Sequence, residues 1–332
     1  VCKSKKKWLA MVKFFNKIAS IVLLIIFNNQ YFCKMTQDSV TSLIENTTPI
    51  YVVIILAEML LSCFHNKHYY SAKDTATNIY LSLLNFGLDL LMKTFVLIIL
   101  GFFYQYKFFE ISNPWVYWFM LLILEDFAFY WEHRIDHKSR LFWAVHVTHH
   151  SSDYYNLTTG FRSSVFQPLY RFVYFIPLAL MGFKTWDIMF MYAATQIYGI
   201  LIHTQSIDKL GFLERFLSTP SHHRVHHASN VKYLDKNMGM VFIIWDKLFG
   251  TFELEDNSDE EMKFGLTKKL DDPHHPISII GHEWKAIAND LKRPISFKNK
   301  LKYVFMPPGW SHDGSSKTSM ELQKEYWKAK QK

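Results

Sequence analysis

Cysteine is nearly absent. Cys2, Cys33 and Cys63 are the only three among 332 residues, and none stands in a CxxC pair, which excludes a disulfide framework and a cysteine-built metal site. Internal repeats and low-complexity tracts are also missing, so the chain is no repeat array. The net charge of +8 comes without any nucleic-acid-binding motif. A basic face beside anionic lipid headgroups explains that charge more simply. Residues 35–48 contain Asp38 and Glu45 but no Lys or Arg.

What the chain does have is apolar length. Half of its residues are hydrophobic and 17% are aromatic, gathered in blocks that approach the ~20 residues a helix needs to cross a bilayer. The blocks predict an all-α integral membrane protein with four to five transmembrane helices: 49–64 (with Glu58 inside it), 78–104, 115–131, and a shorter pair, 164–183 and 186–202. In the second, Asp89 and Lys93 stand i,i+4 and are expected to pair, which lowers the cost of ionised groups at membrane depth. Only Lys184 and Thr185 separate the last two runs, so an antiparallel pair is expected, bent at Pro168 and Pro177. Counting crossings from residue 35 puts 133–150 and 203–227 on one side of the membrane. The stretch from Lys263 to Lys332 shares that side and carries fourteen Lys/Arg against seven Asp/Glu, which makes the side cytosolic. Three regions follow. Residues 1–34 hold a basic leader and a short apolar run, either a signal-like anchor or an upstream extension before Met35. Residues 35–255 form the membrane domain, its amphipathic end (238–255) lying at the interface or against the site. Residues 256–332 make a polar, basic cytosolic tail that begins in an acidic loop.

Of sixteen histidines, ten fall between 133 and 227. HRIDH supplies His133 and His137, and HVTHH supplies His146, His149 and His150. His203 stands alone after the last apolar run, and HHRVHH supplies His222, His223, His226 and His227. On a helix, i,i+3 and i,i+4 positions share a face, so each cluster points several imidazoles one way. Arg134 occupies the place where an H-E-x-x-H metalloprotease needs its glutamate, which excludes that chemistry. A transporter would place ligands near the bilayer midplane, whereas these lie beyond the span ends. The pattern predicts a helical cap on the cytosolic side carrying a histidine-rich dimetal site, since one zinc takes only three or four ligands. Imidazole accepts Fe, Zn, Cu or Ni. Placement at a membrane surface favours a di-iron pair that activates O2 and attacks an unactivated C–H bond of a lipid. Glu132, Asp136, Asp153 and Asp235, beside the clusters, are candidates to orient imidazole N–H groups.

The motifs H-x3-H, H-x2-HH and HH-x2-HH between apolar spans resemble those of the fatty acid hydroxylase/sterol desaturase superfamily of membrane di-iron oxygenases. FYWEHRIDH (129–137), FWAVHVTHHSSDYYNLTTGFRSSV (142–165), IHTQSIDKLGFLERFLSTPSHHRVHHASN (202–230), DKNMGMVFIIWDKLFGTFELE (235–255) and FGLTKKL (264–270) are similar to its glyceryl-ether monooxygenase branch. Short bacterial proteins of the sterol desaturase family are a further resemblance. The resemblance implies two Fe ions held by the ten histidines, O2 as co-substrate and tetrahydrobiopterin as electron source. It also implies hydroxylation of the carbon next to an ether oxygen, giving a hemiacetal that collapses to fatty aldehyde and glycerol. It places Asn156 and Arg162 near a substrate entrance, and Asn230, Asp235 and Asn237 as polar residues behind the last cluster. The implied partners are a bilayer lipid and, if no pterin serves, an electron-donor protein. Two other readings stay open: hydroxylation or desaturation of a sterol, fatty acyl or carotenoid chain, and a non-catalytic membrane metal-binding protein or transporter.

Overall fold

The computed structural model describes residues 37–331 apart from 257 and 259; the leader and apolar run expected within 1–34 lie outside the described residues. Among those described the chain is helical, with two isolated backbone bridges (Leu217–Phe242 and Ala228–Phe264) and no strand. Two helices are long and apolar enough to cross a bilayer, α1 (Gln37–Phe64) and α2 (Ala72–Tyr104). α1 starts well before its apolar run because its polar residues fold onto the helix. Thr47 and Thr48 donate to the carbonyls of Leu43 and Ile44 at 2.8 and 2.7 Å. Only 28% and 11% of the most apolar stretches of α1 and α2 are buried, unlike the core helix of a water-soluble protein. Val53, Leu60, Leu83 and Leu91 face outward in an apolar belt suited to lipid.

The expected crossing 115–131 lies within a third helix. α3 (Pro114–Lys138) starts at Asn113, whose Oδ1 accepts from the N–H groups of Trp115 and Val116 at 2.9 and 3.2 Å, with Pro114 in the first turn where its missing N–H costs nothing. The run 164–183 breaks at Pro168 into a short 3-10 turn (Gln167–Leu169) and a nine-residue helix, α5 (Phe172–Leu180). That helix rises only about 14 Å, half of a bilayer core. α6 (Thr185–Leu201) follows it and packs against α1, α3 and α5. Asp89 does not pair with Lys93. Its carboxylate stands 3.9 Å from Arg171 at the head of α5, and Lys93 lies over the Trp186 ring. A guanidinium delivered by a packed neighbour reaches the acid, while the long lysine stem is free to turn elsewhere.

The remaining helices gather where α3 and α6 end: α4 (Arg140–His150), α7 (Pro220–His227), α8 (Ile244–Phe249), α9 (Pro276–Lys292), α10 (Phe297–Phe305) and α11 (Ser319–Lys330). The basic stretch expected as a tail is folded onto this end. On one face of α9, Ile279 and Ile287 are buried, and Glu283 and Asp290 receive Arg140 Nε and Nη1 at 2.6 and 2.7 Å. The amphipathic stretch 238–255 lies against the site. Asp126, fully buried on α3, accepts from Val241 N, Phe242 N and Trp245 Nε1 at 2.7, 3.0 and 2.9 Å. Removing it orphans three donors, each at a cost of about 1–3 kcal/mol. Asp126→Ala is therefore expected to lower the thermal midpoint of the detergent-solubilised protein strongly, and Asp126→Asn less; equal midpoints for all three proteins would show that this contact holds nothing.

Candidate metal centre

The structure draws nine of the ten candidate histidines into two adjoining groups, His133, His137, His146, His150 and His226 in one and His149, His203, His223 and His227 in the other. Within each group one ring nitrogen per residue lies within 4.8 Å of the others. Helix phase makes the division. The i,i+4 pairs His133/His137 on α3 and His146/His150 on α4 face the first group, and His149, one residue out of phase, faces the second. On α7 the assignment reverses: His223 and His227 serve the second group and His226 the first. α4 and α7 thus each serve both, and the His150 and His227 rings stack at 4.5 Å along the seam. His222 does not join. It stands i,i+4 from His226, about 40° away around the helix, but its ring folds back toward Thr219, with Nδ1 3.3 Å from Oγ1.

The proton positions follow from the outer contacts. His133 Nδ1 lies 2.7 Å from the Met238 carbonyl, His226 Nδ1 2.9 Å from that of Lys236, His149 Nδ1 2.9 Å from that of Arg162, and His203 Nδ1 2.7 Å from that of Gly199. A carbonyl only accepts, so each Nδ1 carries the proton and each neutral ring presents a bare lone pair at Nε2. Those lone pairs converge. His203 Nε2 is 3.3 Å from His149 Nε2, and 3.0 and 3.1 Å from those of His223 and His227. In the first group, His146 Nε2 is 3.1 and 3.2 Å from those of His133 and His150. The Nε2 atoms of His137 and His226 are buried with no hydrogen-bond partner. Protonation does not relieve the crowding. Burial, then the neighbouring imidazoles, holds His146, His150, His223, His226 and His227 well below the ordinary histidine range, and burial carries His149 down to about 4. Donors about 2.1 Å from one metal ion lie at most about 4.2 Å apart, close to the spread seen here. The donor set fits a metal ion in each group.

Around the rings, a turn with left-handed φ at Asp235 and Asn237 (55° and 54°) aims three groups inward. The Lys236 and Met238 carbonyls reach His226 and His133, and Asp235 Oδ1 accepts from His137 Nδ1 at 3.3 Å. Burial pushes the Asp235 carboxyl up, but His137 and Lys138 outweigh it and bring it down to about 2. Asp136 Oδ2 stands 3.7 Å from His146 Nδ1, while Oδ1 accepts from the Tyr170 hydroxyl at 2.8 Å. The other predicted residues sit further out. Glu132 holds Gln167 and Arg171 rather than an imidazole. Asp153 is exposed, 3.6 Å from Lys269. Asn156 caps the 157–161 turn. The guanidinium of Arg162 is locked by Asp74, Asn78 and Ser151, and only its carbonyl serves the site. Asn230 ties Lys263 N and the Glu261 carbonyl, and Asn237 ties Glu253 and the His222 carbonyl.

Several supports escaped the sequence. Asp246 accepts from Met238 N and Gly239 N at 2.7 and 2.8 Å and so fixes the turn facing His133. Glu58 receives Leu157 N, Tyr70, Ser206 and Thr204, the residue after His203. Acids inside apolar runs, such as Glu58 and Asp126, carried a usable signal; main-chain acceptors carry none. A cavity of about 1080 Å3 opens onto His137, His150, His226 and His227, with Trp143, α9 and Tyr303 in its walls.

Residues 118–251, which contain all ten histidines, match the family model described as fatty acid hydroxylase. The chain is 34% identical over 298 residues to alkylglycerol monooxygenase of Homo sapiens, covering 87% of this chain and 64% of that protein. It is 36% identical over 214 residues to alkylglycerol monooxygenase of Caenorhabditis elegans, covering 60% and 40%. With ornithine lipid hydroxylase OlsE of Rhizobium tropici it shares 31% identity over 193 residues, covering 56% and 53%. The chain thus spans less than two thirds of the length of these relatives. No solved structure matches it. With its histidines inside the matched segment, the chain carries a fatty acid hydroxylase family domain.

Proposed function

We propose that the protein is a membrane-embedded, di-iron lipid monooxygenase that cleaves the ether bond of an alkylglycerol-type lipid. The observation carrying this reading is the convergence of nine Nε2 lone pairs inside a fatty acid hydroxylase domain, supported by identity to alkylglycerol monooxygenases over most of the chain. His133, His137, His146, His150 and His226 hold one iron, and His149, His203, His223 and His227 the other. Iron so held supplies the O2 activation that an unactivated C–H bond requires. The electrons come from tetrahydrobiopterin, and the site faces the cytosol, the side to which the basic C-terminal helices belong.

The chain's own contribution is positioning and exclusion. Main-chain carbonyls keep the protons of His133, His149, His203 and His226 on Nδ1, and Asp235 keeps that of His137 there, so their Nε2 atoms stay available. Burial of the rings keeps bulk water from the reacting carbon, and the cavity above His137 and His150 receives the lipid beside the Trp143 ring, 5.1 and 5.6 Å from those imidazoles. Hydroxylation next to the ether oxygen yields a hemiacetal that needs no further catalyst to part into fatty aldehyde and glycerol.

Membranes containing the full chain, given a long-chain 1-O-alkylglycerol, iron, tetrahydrobiopterin and air, are expected to release fatty aldehyde, and to release none without oxygen. Iron-loaded protein that yields no aldehyde under these conditions would refute the ether-lipid substrate and turn attention to sterol or acyl chains. His226→Ala is expected to lose half or more of the bound iron and all turnover, measured by metal analysis of the purified protein; full iron content would remove it from the ligand set. Asp235→Ala leaves the ligands in place but frees His137 Nδ1, and iron affinity is expected to fall about 10–100-fold in chelator competition.

A further inference from the structure

α10 (FKNKLKYVF, 297–305) has an apolar face that no part of the described chain covers. Phe297, Leu301 and Phe305, spaced i,i+4,i+8, are 75%, 44% and 55% exposed. With half-buried Val304 they occupy about 100° of the helix circumference. Lys298 and Lys302 border that face on one side and Lys300 on the other, and the helix holds no acidic residue. The opposite face is bound to the protein. Tyr303 is buried, its hydroxyl accepts from Arg293 Nη1 at 2.7 Å, and the Met306 carbonyl just beyond accepts from Arg140 N at 3.0 Å. An apolar stripe pointing outward between lysines is the pattern of a helix lying in a membrane interface.

The helix it is bound to leads toward the bundle. Two residues after Arg140, Phe142 packs on Tyr170 with ring centroids 5.0 Å apart. Around Tyr170, the side chains of Phe166, Leu169 and Val173 are exposed apolar groups at the head of α5. Exposed apolar groups thus stand on the bundle close to α4, the helix to which α10 is bound, and the three lysines of α10 complement anionic headgroups. We infer that α10 lies in the interface of the same bilayer, Phe297, Leu301 and Phe305 among the acyl chains and Lys298, Lys300 and Lys302 on anionic headgroups. Arg293 and Tyr303 also line the cavity that opens onto the histidines, so the lipid surface steadies one wall of that cavity. This inference requires a bilayer but not the ether-lipid reading.

A nitroxide on Leu301→Cys, with the native cysteines replaced by serine, tests it in nanodiscs holding the full chain. Wild-type metal content serves as the control for folding. Collisions with O2, which partitions into lipid, are expected to exceed those with a water-soluble nickel chelate several-fold in discs containing phosphatidylglycerol. The combined change Lys298→Gln, Lys300→Gln and Lys302→Gln is expected to lower that ratio in anionic discs and leave it unchanged in purely phosphatidylcholine discs. Free access of the nickel chelate, or spin–spin broadening from a second copy of the chain with both quenchers excluded, would overturn the assignment. An equal ratio in the two lipids with lysines intact would overturn its anionic part.

Discussion

Nine imidazoles that turn their lone pairs on one another set the terms for what surrounds them. Four of the rings, His133, His149, His203 and His226, do so by giving the Nδ1 proton to a main-chain carbonyl, and the middle of a regular helix has none to spare, since its carbonyls are already used. The acceptors come from places where helical bonding runs out. The Gly199 carbonyl belongs to the last turn of α6 and takes the proton of His203 four residues on. The Arg162 carbonyl ends a 3-10 turn, and those of Lys236 and Met238 flank the left-handed turn after α7. The centre is thus framed by irregular backbone, the least rigid kind of structure, around groups that tolerate little displacement.

Charge supplies the missing rigidity. Arg162, fully buried, is gripped by Asp74 and Asn78 from the first turns of α2, which pins the carbonyl facing His149. Asp246 fixes the turn facing His133, Asp126 on α3 anchors the chain that follows it, and Glu58 near the end of α1 gathers the residues beside His203. These ionisable groups are not spread through the bundle at random. They tie helix to loop, so the apolar helices act as posts and the charges as the fastenings between post and loop.

The histidine clusters and their helical faces were legible because i,i+4 spacing projects directly into a shared direction. The split into groups was only half legible, since phase separates the imidazoles of one helix but does not say which face of α4 meets which face of α7. His222 looked equivalent to His223 in sequence, yet the first turn of α7 turns it away. Asp89 and Lys93 were sensible partners on one helix until Arg171 arrived from another. The long apolar helices declared themselves by composition, and the bend expected at Pro168 in the run 164–183 is a full break between a 3-10 turn and a short helix. Arg162, expected near a substrate entrance, is a scaffold whose backbone, not its side chain, meets a ring.

The ion pairs between Arg140 and α9 give assembly of the centre a definite order. The histidines of α4 follow directly on Arg140, but Glu283 and Asp290 lie 143 and 150 residues downstream of it. At translation rates of about 5–20 residues per second, that interval is roughly seven to thirty seconds. During that time α9 cannot cover the cavity, because it has not been made. The imidazoles are synthesised into an open bowl and roofed only afterwards, so the nascent chain has a broad aqueous doorway to its own centre that α9 later narrows.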